Sequence, residues 1–344
     1  MAVKLSNILS KLQWIIITAV FIVIVLTGYL TFFTANHYDN DAPINFEVKD
    51  GEIFSVTTAK LYKRGIIPSK FNFKLAAFIY GAETKIKAAR FKIPNDLSYL
   101  DLLDLLVNGP AEYLKPIKIN DGQTIKWLGA KVRRDVQIDS AAFVNLTTDK
   151  EFIKSLGLNV STLEGYLFSK TYKIYEKSSP EEALQIFYKG FTDFFTDSLK
   201  QRAKKIGLTV HQVLTLASII KGETNLAVEM PTISAVYHNR LRIGMRLQAD
   251  PTIQYLLPGG WRRLTYADLK IESPYNTYKY SGLPPGPINN PGKNAILAAL
   301  YPEKNNYLYF VAGGNSGHKF AKSYSDHLKN VAQYRKWLKE QNNQ

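Results

Sequence analysis

The chain begins with a long run of apolar residues. Between Leu12 and Tyr38 there is no Asp, Glu, Lys or Arg, and the centre reads WIIITAVFIVIVLTGYLTFF. A helix that crosses the bilayer core needs about 20 mostly apolar residues. A cleaved signal peptide usually has a shorter apolar stretch, about 7–15 residues, followed by a small-residue cleavage site, and no clear site of that kind follows here. Residues 12–38 are therefore predicted to form an uncleaved transmembrane anchor.

Charges on either side of this run predict its orientation. Lys4 and Lys11 precede it, and Asp39 and Asp41 follow it. Positively charged flanks stay in the cytoplasm. Residues 1–11 are thus predicted to be a cytoplasmic tail, and the chain after this single membrane span is predicted to face outward.

Residues 44–110 repeat one order of elements. The alternating strand INFEV is followed by a turn at Asp50-Gly51 and an amphipathic helix. The segment KIKAARFKIPNDLSYLDLLDLLVNG predicts the same order of strand, turn and helix, and Gly109-Pro110 ends it. This apolar periodicity favours a small folded α+β module over a mere stalk.

Residues 113–344 predict a larger α+β domain. YLKPIKI and QTIKWLG are typical of short extended segments. Residues 140–156 and 180–206 are predicted to be helices. NNYLYFVAGGNSGHKFAKS is typical of a hairpin. The predicted fold class is thus α+β, with a single N-terminal transmembrane helix, a small module and a larger domain.

One predicted helix in the larger domain carries a carboxylate on its apolar side. Thr209 and Gln212 fit a capping box at its start. Four later residues share one face at spacings of three and four: Val213, Leu216, Ile220 and Glu223. Loss of hydration raises the pKa of a carboxyl group, which can then act as a general acid near neutral pH. A surface Glu at a frayed helix end is an equally good interpretation of the spacing.

Gly222 interrupts the same helix and costs roughly 1 kcal/mol relative to Ala. The absence of a side chain predicts a bare backbone surface that a bulky ligand could approach.

Polar residues that could bind a sugar follow in two segments. Gln248, Asp250 and Thr252 stand in RLQADPT, and ESPYNTYKYSGLPPGPINNPG forms a rigid aromatic loop. Their groups could hydrogen-bond hydroxyls or amides, and function concentrates in such loops. Turn chemistry is the alternative for both segments.

Composition excludes several kinds of site. The 344 residues include 44 Lys plus Arg against 29 Asp plus Glu, a formal charge of +15, and no cysteine. The charge favours an anionic partner such as nucleic acid, anionic lipid or an anionic polymer, and placing the body outside the cell disfavours nucleic acid. Thiolate sites and cysteine nucleophiles are excluded. No metalloprotease, serine-hydrolase or nucleotide-binding motif is present, so no metal or cofactor is expected.

Taken together, these segments resemble the endolytic murein transglycosylases, a YceG-like family of bacterial inner membranes. The matching stretches are LASIIKGET, LEGYLF, NRLRIGMRLQADPT, YNTY with GLPPGPI, and YLYFVA with HKF. The resemblance implies that residues 44–110 are a LysM-like module and residues 113–344 a lytic transglycosylase domain. In the family motif ASI[IV]EKET the second Glu is catalytic, and it aligns with Glu223.

The resemblance implies cleavage of the β-1,4 bond between N-acetylmuramic acid and N-acetylglucosamine within glycan strands, giving 1,6-anhydromuramyl ends and terminating growing strands. One carboxyl group suffices because the muramic acid 6-hydroxyl replaces water. The implied partners are peptidoglycan strands and the inner membrane, with peptidoglycan synthases as further candidates. Ten residues of the matching segments are candidates for substrate binding: Glu164, Tyr166, Ser218, Asn239, Gln248, Asp250, Thr252, Tyr275, Asn276 and Tyr278.

Two alternatives stay open. Lys221 and Gly222 stand where the family motif has Glu and Lys, and this departure gives weight to a catalytically weak, peptidoglycan-binding scaffold of the wall-synthesis machinery. Lys221 is expected to point away from the helix face that carries Glu223, so it should have only a weak effect on the pKa of Glu223. A hydrolytic muramidase would need a second carboxylate, for which Asp250 and Glu164 are the candidates.

Overall fold

The computed structural model divides the chain into two compact units, Met1–Leu114 and Lys115–Gln344. The sequence had suggested a change of domain at residues 110–113. The fold is mixed α+β and mostly helical. The structure describes these residues: 10–33, 43–259, 262–314 and 317–342.

An exposed apolar helix, α1, begins the described chain at Lys11–Phe33. Its 23 residues span about 35 Å at 1.5 Å per residue, enough for a bilayer core of about 30 Å. It is the one helix in the described residues that is long and apolar enough to cross a membrane, and it is consistent with a signal anchor or a signal sequence. Most of the predicted tail and residues 34–38 of the predicted anchor lie outside the described residues.

The rest of the first unit is a small α+β module around its own core. Strands β1 and β2 pair antiparallel, with Ile44 opposite Ile93. Phe46 and Phe91 from these strands are fully buried in the same core as Phe73, which lies on a helix that the sequence pattern did not predict. The module's elements are β1 (Ile44–Glu47), α2 (Phe54–Lys63), α3 (Lys70–Tyr80), β2 (Arg90–Ile93) and α4 (Tyr99–Val107).

The second unit is a helical body with two small sheets. β3 pairs with β4, and β5 pairs with β6. Its helices are α5 (Ile125–Val136), α6 (Ser140–Leu146), α7 (Lys150–Ser155), α8 (Pro180–Phe194), α9 (Asp197–Lys205), α10 (Val210–Glu223), α11 (Met230–Arg242), α12 (Asp250–Gln254), α13 (Lys293–Leu300) and α14 (Tyr324–Asn342). Its strands are β3 (Leu114–Lys118), which begins at the last residue of the first unit, β4 (Thr171–Tyr175), β5 (Tyr309–Ala312) and β6 (His318–Ala321).

Three local predictions in this unit need correction. QTIKWLG is not extended: α5 begins inside it, because the Thr124 side chain accepts a hydrogen bond from the Trp127 N–H and caps a helix. The helix predicted at 140–156 breaks into α6 and α7, where Asp149 caps the second. The helix predicted at 180–206 likewise breaks at Phe195 and Thr196 into α8 and α9. The hairpin prediction is confirmed by the antiparallel pair β5 and β6.

Helix α10 runs through the core of the second unit. It packs against α9, α11, α12 and α13, and every side chain from Val213 to Ile220 is buried. Because the helix is held on all sides, its C-terminal residue Glu223 has a fixed position relative to α11 and α12.

Candidate active site

The start of α10 is the capping box that the sequence predicts. The Thr209 hydroxyl accepts a hydrogen bond from the Gln212 N–H at 3.1 Å, and the Gln212 side chain accepts one from the Thr209 N–H at 2.9 Å. These reciprocal bonds satisfy two backbone donors that the helix itself leaves unpaired. Fourteen residues later the helix ends at Glu223.

Glu223 is half-buried and hydrogen-bonded by a tyrosine. The Tyr237 hydroxyl, from α11, donates to Glu223 Oε1 at 2.5 Å. The pKa of the Glu223 carboxyl is raised to about 7, chiefly because burial disfavours its charged form. The Tyr237 hydrogen bond and the Arg240 charge lower this pKa, and the Asp250 carboxylate raises it. A carboxyl group with a pKa near 7 can hold a proton, donate it and take one back at neutral pH.

Gly222 permits a close approach of α10 to α12. A Cβ atom built at Gly222 would lie 2.5 Å from Cβ and 2.8 Å from Cγ of Pro251. The expectation that Gly222 leaves room for a ligand is therefore wrong: the proline ring fills that space. The glycine instead lets Pro251 pack against the end of α10, which brings the neighbouring Asp250 near enough for its charge to raise the pKa of Glu223.

Asp250 is exposed and is also held by a tyrosine. The Tyr278 hydroxyl donates a short hydrogen bond to Asp250 Oδ1. Tyr278 is itself half-buried, and its pKa is raised by burial, by the bond to Asp250 and by the charges of Asp250 and Glu223. The structure thus brings together two carboxyl groups, Glu223 and Asp250, each accepting a hydrogen bond from a tyrosine hydroxyl.

A buried guanidinium lies behind this group. Arg240 donates to the Leu308 carbonyl at 2.7 Å and to the Leu247 carbonyl at 2.5 Å. Burial lowers the pKa of Arg240, and the charge of Glu223 acts in the opposite direction. Sequence reasoning missed both Arg240 and Tyr237, because their approach to Glu223 depends on the packing of α11 against α10.

Gln248 is exposed at the entrance to α12, on a backbone with a φ of 47°. This left-handed conformation is uncommon outside glycine. It is fixed by the Gln248 N–H, which donates to the Thr277 carbonyl at 3.1 Å. The exposed side chain of Gln248 remains a candidate for substrate binding.

Three predicted binding residues are buried and bonded within the protein. The Ser218 hydroxyl accepts from the Ile288 N–H at 3.0 Å. The Thr252 hydroxyl bonds the Ala249 carbonyl and the Thr277 hydroxyl. The Asn276 amide donates to the Leu269 and Ile271 carbonyls. All three side chains are fully buried, so in this conformation they hold the loops of the site and present no surface for direct substrate contact.

Glu164 is buried as well, and it caps a helix. Both of its carboxyl oxygens accept from the Ile125 N–H, at 3.1 Å each, and Oε1 accepts from the Asn290 amide at 2.7 Å. Burial raises the pKa of Glu164 to about 8, against the lowering effect of these bonds. A carboxyl group enclosed in this way at the start of α5 is not available to activate water as the second carboxylate of a hydrolase. The prediction that Glu164 could have this role is therefore corrected.

The remaining predicted residues lie in supporting positions. Tyr166 is buried, and its hydroxyl bonds His211 Nδ1 at 2.9 Å. Asn239 is half-buried and donates to the Asn305 and Tyr307 carbonyls at 3.0 Å. Tyr275 is half-buried, with its ring centroid 5.2 Å from that of another tyrosine, Tyr255.

Lys221 is not among the charges that shift the pKa of Glu223. Its ammonium group donates a short hydrogen bond to Asn225 Oδ1, and its methylene groups lie beside Gly122. This geometry agrees with the weak effect on Glu223 that was expected for a neighbour on a different helix face.

Comparisons with known proteins show which family the chain belongs to. The model of the YceG-like family matches residues 46–333. An endolytic murein transglycosylase of Bacillus subtilis (strain 168) is 30% identical over 313 residues, which cover 86% of each chain. One of Streptococcus pneumoniae (strain D39) is 29% identical over 309 residues, covering 80% of this chain and 55% of that protein. The crystal structure of a YceG-like protein from Listeria monocytogenes superposes with a TM-score of 0.59 at 30% identity, over 83% of this chain and 98% of that one.

The protein is a member of the YceG-like family. The relatives from Bacillus subtilis and Streptococcus pneumoniae are named endolytic murein transglycosylases. The family match spans both the small module and the helical body.

Proposed function

We propose that this protein is a membrane-anchored endolytic transglycosylase of peptidoglycan. It would cleave the bond between N-acetylmuramic acid and N-acetylglucosamine within nascent glycan strands. The observation that carries the proposal is the Glu223 carboxyl, which has a pKa of about 7 and is fixed by Tyr237 at the end of a buried helix. The names of the relatives, endolytic murein transglycosylase, point to the same substrate.

The reaction needs one group that serves first as an acid and then as a base. Protonated Glu223 gives its proton to the glycosidic oxygen, and the C1–O bond breaks with its electron pair going to the leaving sugar. The muramic acid 6-hydroxyl then attacks C1, and its proton returns to Glu223. No water is consumed, the product carries a 1,6-anhydro ring, and Glu223 ends in its starting state.

Asp250 could have either of two roles, and the reaction product differs between them. As a fixed negative charge, held by Tyr278, it favours the protonated form of Glu223. As a base that activates water it would make the enzyme a hydrolase, since inverting glycosidases use a second carboxylate in this way. We propose the first role, because Glu223 alone accounts for both proton transfers of the transglycosylase reaction.

The remaining parts of the chain suit a wall enzyme. We propose that α1 anchors the protein in the inner membrane with the second unit outside, and that residues 44–110 are a LysM-like module that holds glycan. The separate core of the module and the exposure of α1 support this division. Synthases that produce the strands are proposed partners, and the formal charge of +15 suits an anionic polymer.

Replacement of the acid tests this function. Glu223→Gln keeps the shape of the side chain but cannot donate the proton, and loss of a general acid lowers the rate by about 10²–10⁴-fold. Turnover of purified glycan strands by the full chain should fall accordingly, with the thermal unfolding temperature unchanged. Glu151→Gln, at an exposed carboxylate of α7, is the matched control and should retain wild-type turnover. A Glu223→Gln protein with more than about a tenth of wild-type turnover would remove Glu223 from this role, and a wild-type chain that binds glycan without cutting it would favour the scaffold.

A further inference from the structure

Helix α3 of the small module exposes a row of large apolar side chains. Phe71, Leu75, Phe78 and Ile79 are between 40% and 75% exposed. Their spacings of three and four residues place them on one face of the helix. Single exposed apolar residues are normal on protein surfaces, but four on one helix of 11 residues form a patch that marks an interaction site.

The opposite face of α3 is already used by the module's own core. Phe73, Ala76 and Ala77 are completely buried there. The helix is therefore apolar on two sides, one packed and one open. Folding of the module accounts for the first side and leaves the second without an occupant among the described residues.

The apolar anchor helix ends next to this module. The stretch of α1 that is apolar enough to span a membrane ends at Tyr29. Phe32, three residues later, packs against the module's core, and α1 contacts both α3 and α4. If α1 spans the bilayer, the module lies within about one helical turn of the membrane surface.

The two charged residues of α3 itself are positive. Lys70 and Lys74 are exposed on α3, and the Lys70 ammonium lies 4.7 Å from the centre of the Tyr62 ring of α2. Neither α2 nor α3 contains an acidic residue. Aromatic and aliphatic residues on one face with lysines beside them are the composition of helices that lie in a membrane interface.

We propose that the open face of α3, formed by Phe71, Leu75, Phe78 and Ile79, lies in the interfacial layer of the membrane that holds α1. Lys70 would then meet anionic lipid headgroups. The inference rests on the proposed membrane anchor. A glycan strand suits this face less well, because the side chains that form it offer no hydrogen bond to a sugar hydroxyl.

The chain contains no cysteine, so single cysteines can report the depth of each position. The full chain, with a fluorophore at Phe71→Cys or Phe78→Cys, is placed in bilayer discs of phosphatidylglycerol and phosphatidylethanolamine. Quenching by a nitroxide on the lipid chains is compared with quenching by iodide in the water. Lys92→Cys is the matched control, since Lys92 is exposed on β2 between the buried residues Phe91 and Ile93 and points away from the core that α3 covers.

The expected result is quenching of both α3 positions by the lipid nitroxide and shielding from iodide, at a depth of roughly 5–10 Å. Lys92→Cys should show the reverse. A further label at Ile22→Cys reports on the anchor itself. If Ile22 is quenched by lipid while α3 is quenched by iodide, the inference is overturned and the anchor stands. If Ile22 is also open to iodide, the anchor proposal fails first. Shielding of α3 from both quenchers, or shielding that appears only when glycan is added, would assign the face to a protein or to glycan and would equally overturn the inference.

Discussion

The hydroxyl of Tyr237, a residue of α11 that lies 14 positions further along the chain, donates a hydrogen bond to Glu223 Oε1 at 2.5 Å. This bond stabilises the ionised carboxylate, whereas burial and the Asp250 charge stabilise the protonated acid. The pKa of about 7 is the balance of these opposing effects. Removing either the Tyr237 hydrogen bond or the Asp250 charge should therefore shift the pKa of Glu223, and with it the pH dependence of the reaction, in a direction that the structure predicts.

Tyr237→Phe removes the hydrogen bond and keeps the buried ring. The ionised form of Glu223 then loses its donor, so its pKa should rise. Glu223 acts first as an acid, and the alkaline limb of kcat/KM reports the pKa of that acid in the free enzyme. The alkaline limb should move to higher pH. A limb at the wild-type position would show that the Tyr237 bond does not set the proton affinity of the reacting group.

Asp250→Asn should have the opposite effect. The amide oxygen can still accept the Tyr278 hydrogen bond, but the negative charge that disfavours ionised Glu223 is gone. The pKa of Glu223 should fall, and the alkaline limb of kcat/KM should move to lower pH while turnover below that limb persists. Loss of turnover at every pH would instead assign Asp250 a direct chemical step. The change Asp250→Glu, which restores the charge, should return the limb toward its wild-type position.

Gly222→Ala should destabilise the protein, although alanine favours a helix by roughly 1 kcal/mol over glycine. The new Cβ would overlap the Pro251 ring, and overpacking of this kind typically costs about 1–3 kcal/mol. The thermal unfolding temperature should fall, and glycan turnover should fall with it because Asp250 is displaced. Lys221→Ala, at the preceding residue, should change the free energy of unfolding by no more than about 0.5 kcal/mol. A Gly222→Ala protein that is more stable than wild type would show that the α10–α12 contact is looser than described.

Local signals in the sequence were sufficient to predict α1, the hairpin of β5 and β6, and the capped start of α10. Each depends on residues close together in the chain, such as Thr209 and Gln212. The spacing of apolar residues gave only weak support for placing Glu223 on a buried face of α10. The other side chains between Val213 and Ile220 are buried too, so an apolar stripe does not distinguish one face of a helix that is enclosed on all sides.

Contacts between distant segments could not be predicted. Gly222 is needed because the ring of Pro251, 29 residues away in the chain, occupies the space where a side chain would lie. This contact is seen only in the folded structure. Glu164 looked like a candidate for sugar binding from its sequence match, yet it binds the start of α5 through the Ile125 N–H. A polar residue in a matching segment can serve the ligand or the fold, and burial is the property that separates the two.

The products of the full chain test the central claim most directly. Purified glycan strands are digested in water enriched in heavy oxygen, and the primary products are analysed by mass. Attack by the substrate's own 6-hydroxyl predicts muramic acid ends that are lighter by one water and carry no solvent oxygen. Reducing muramic acid ends that carry the solvent label as the primary product would contradict the transglycosylase mechanism and would make Asp250 the base that activates water.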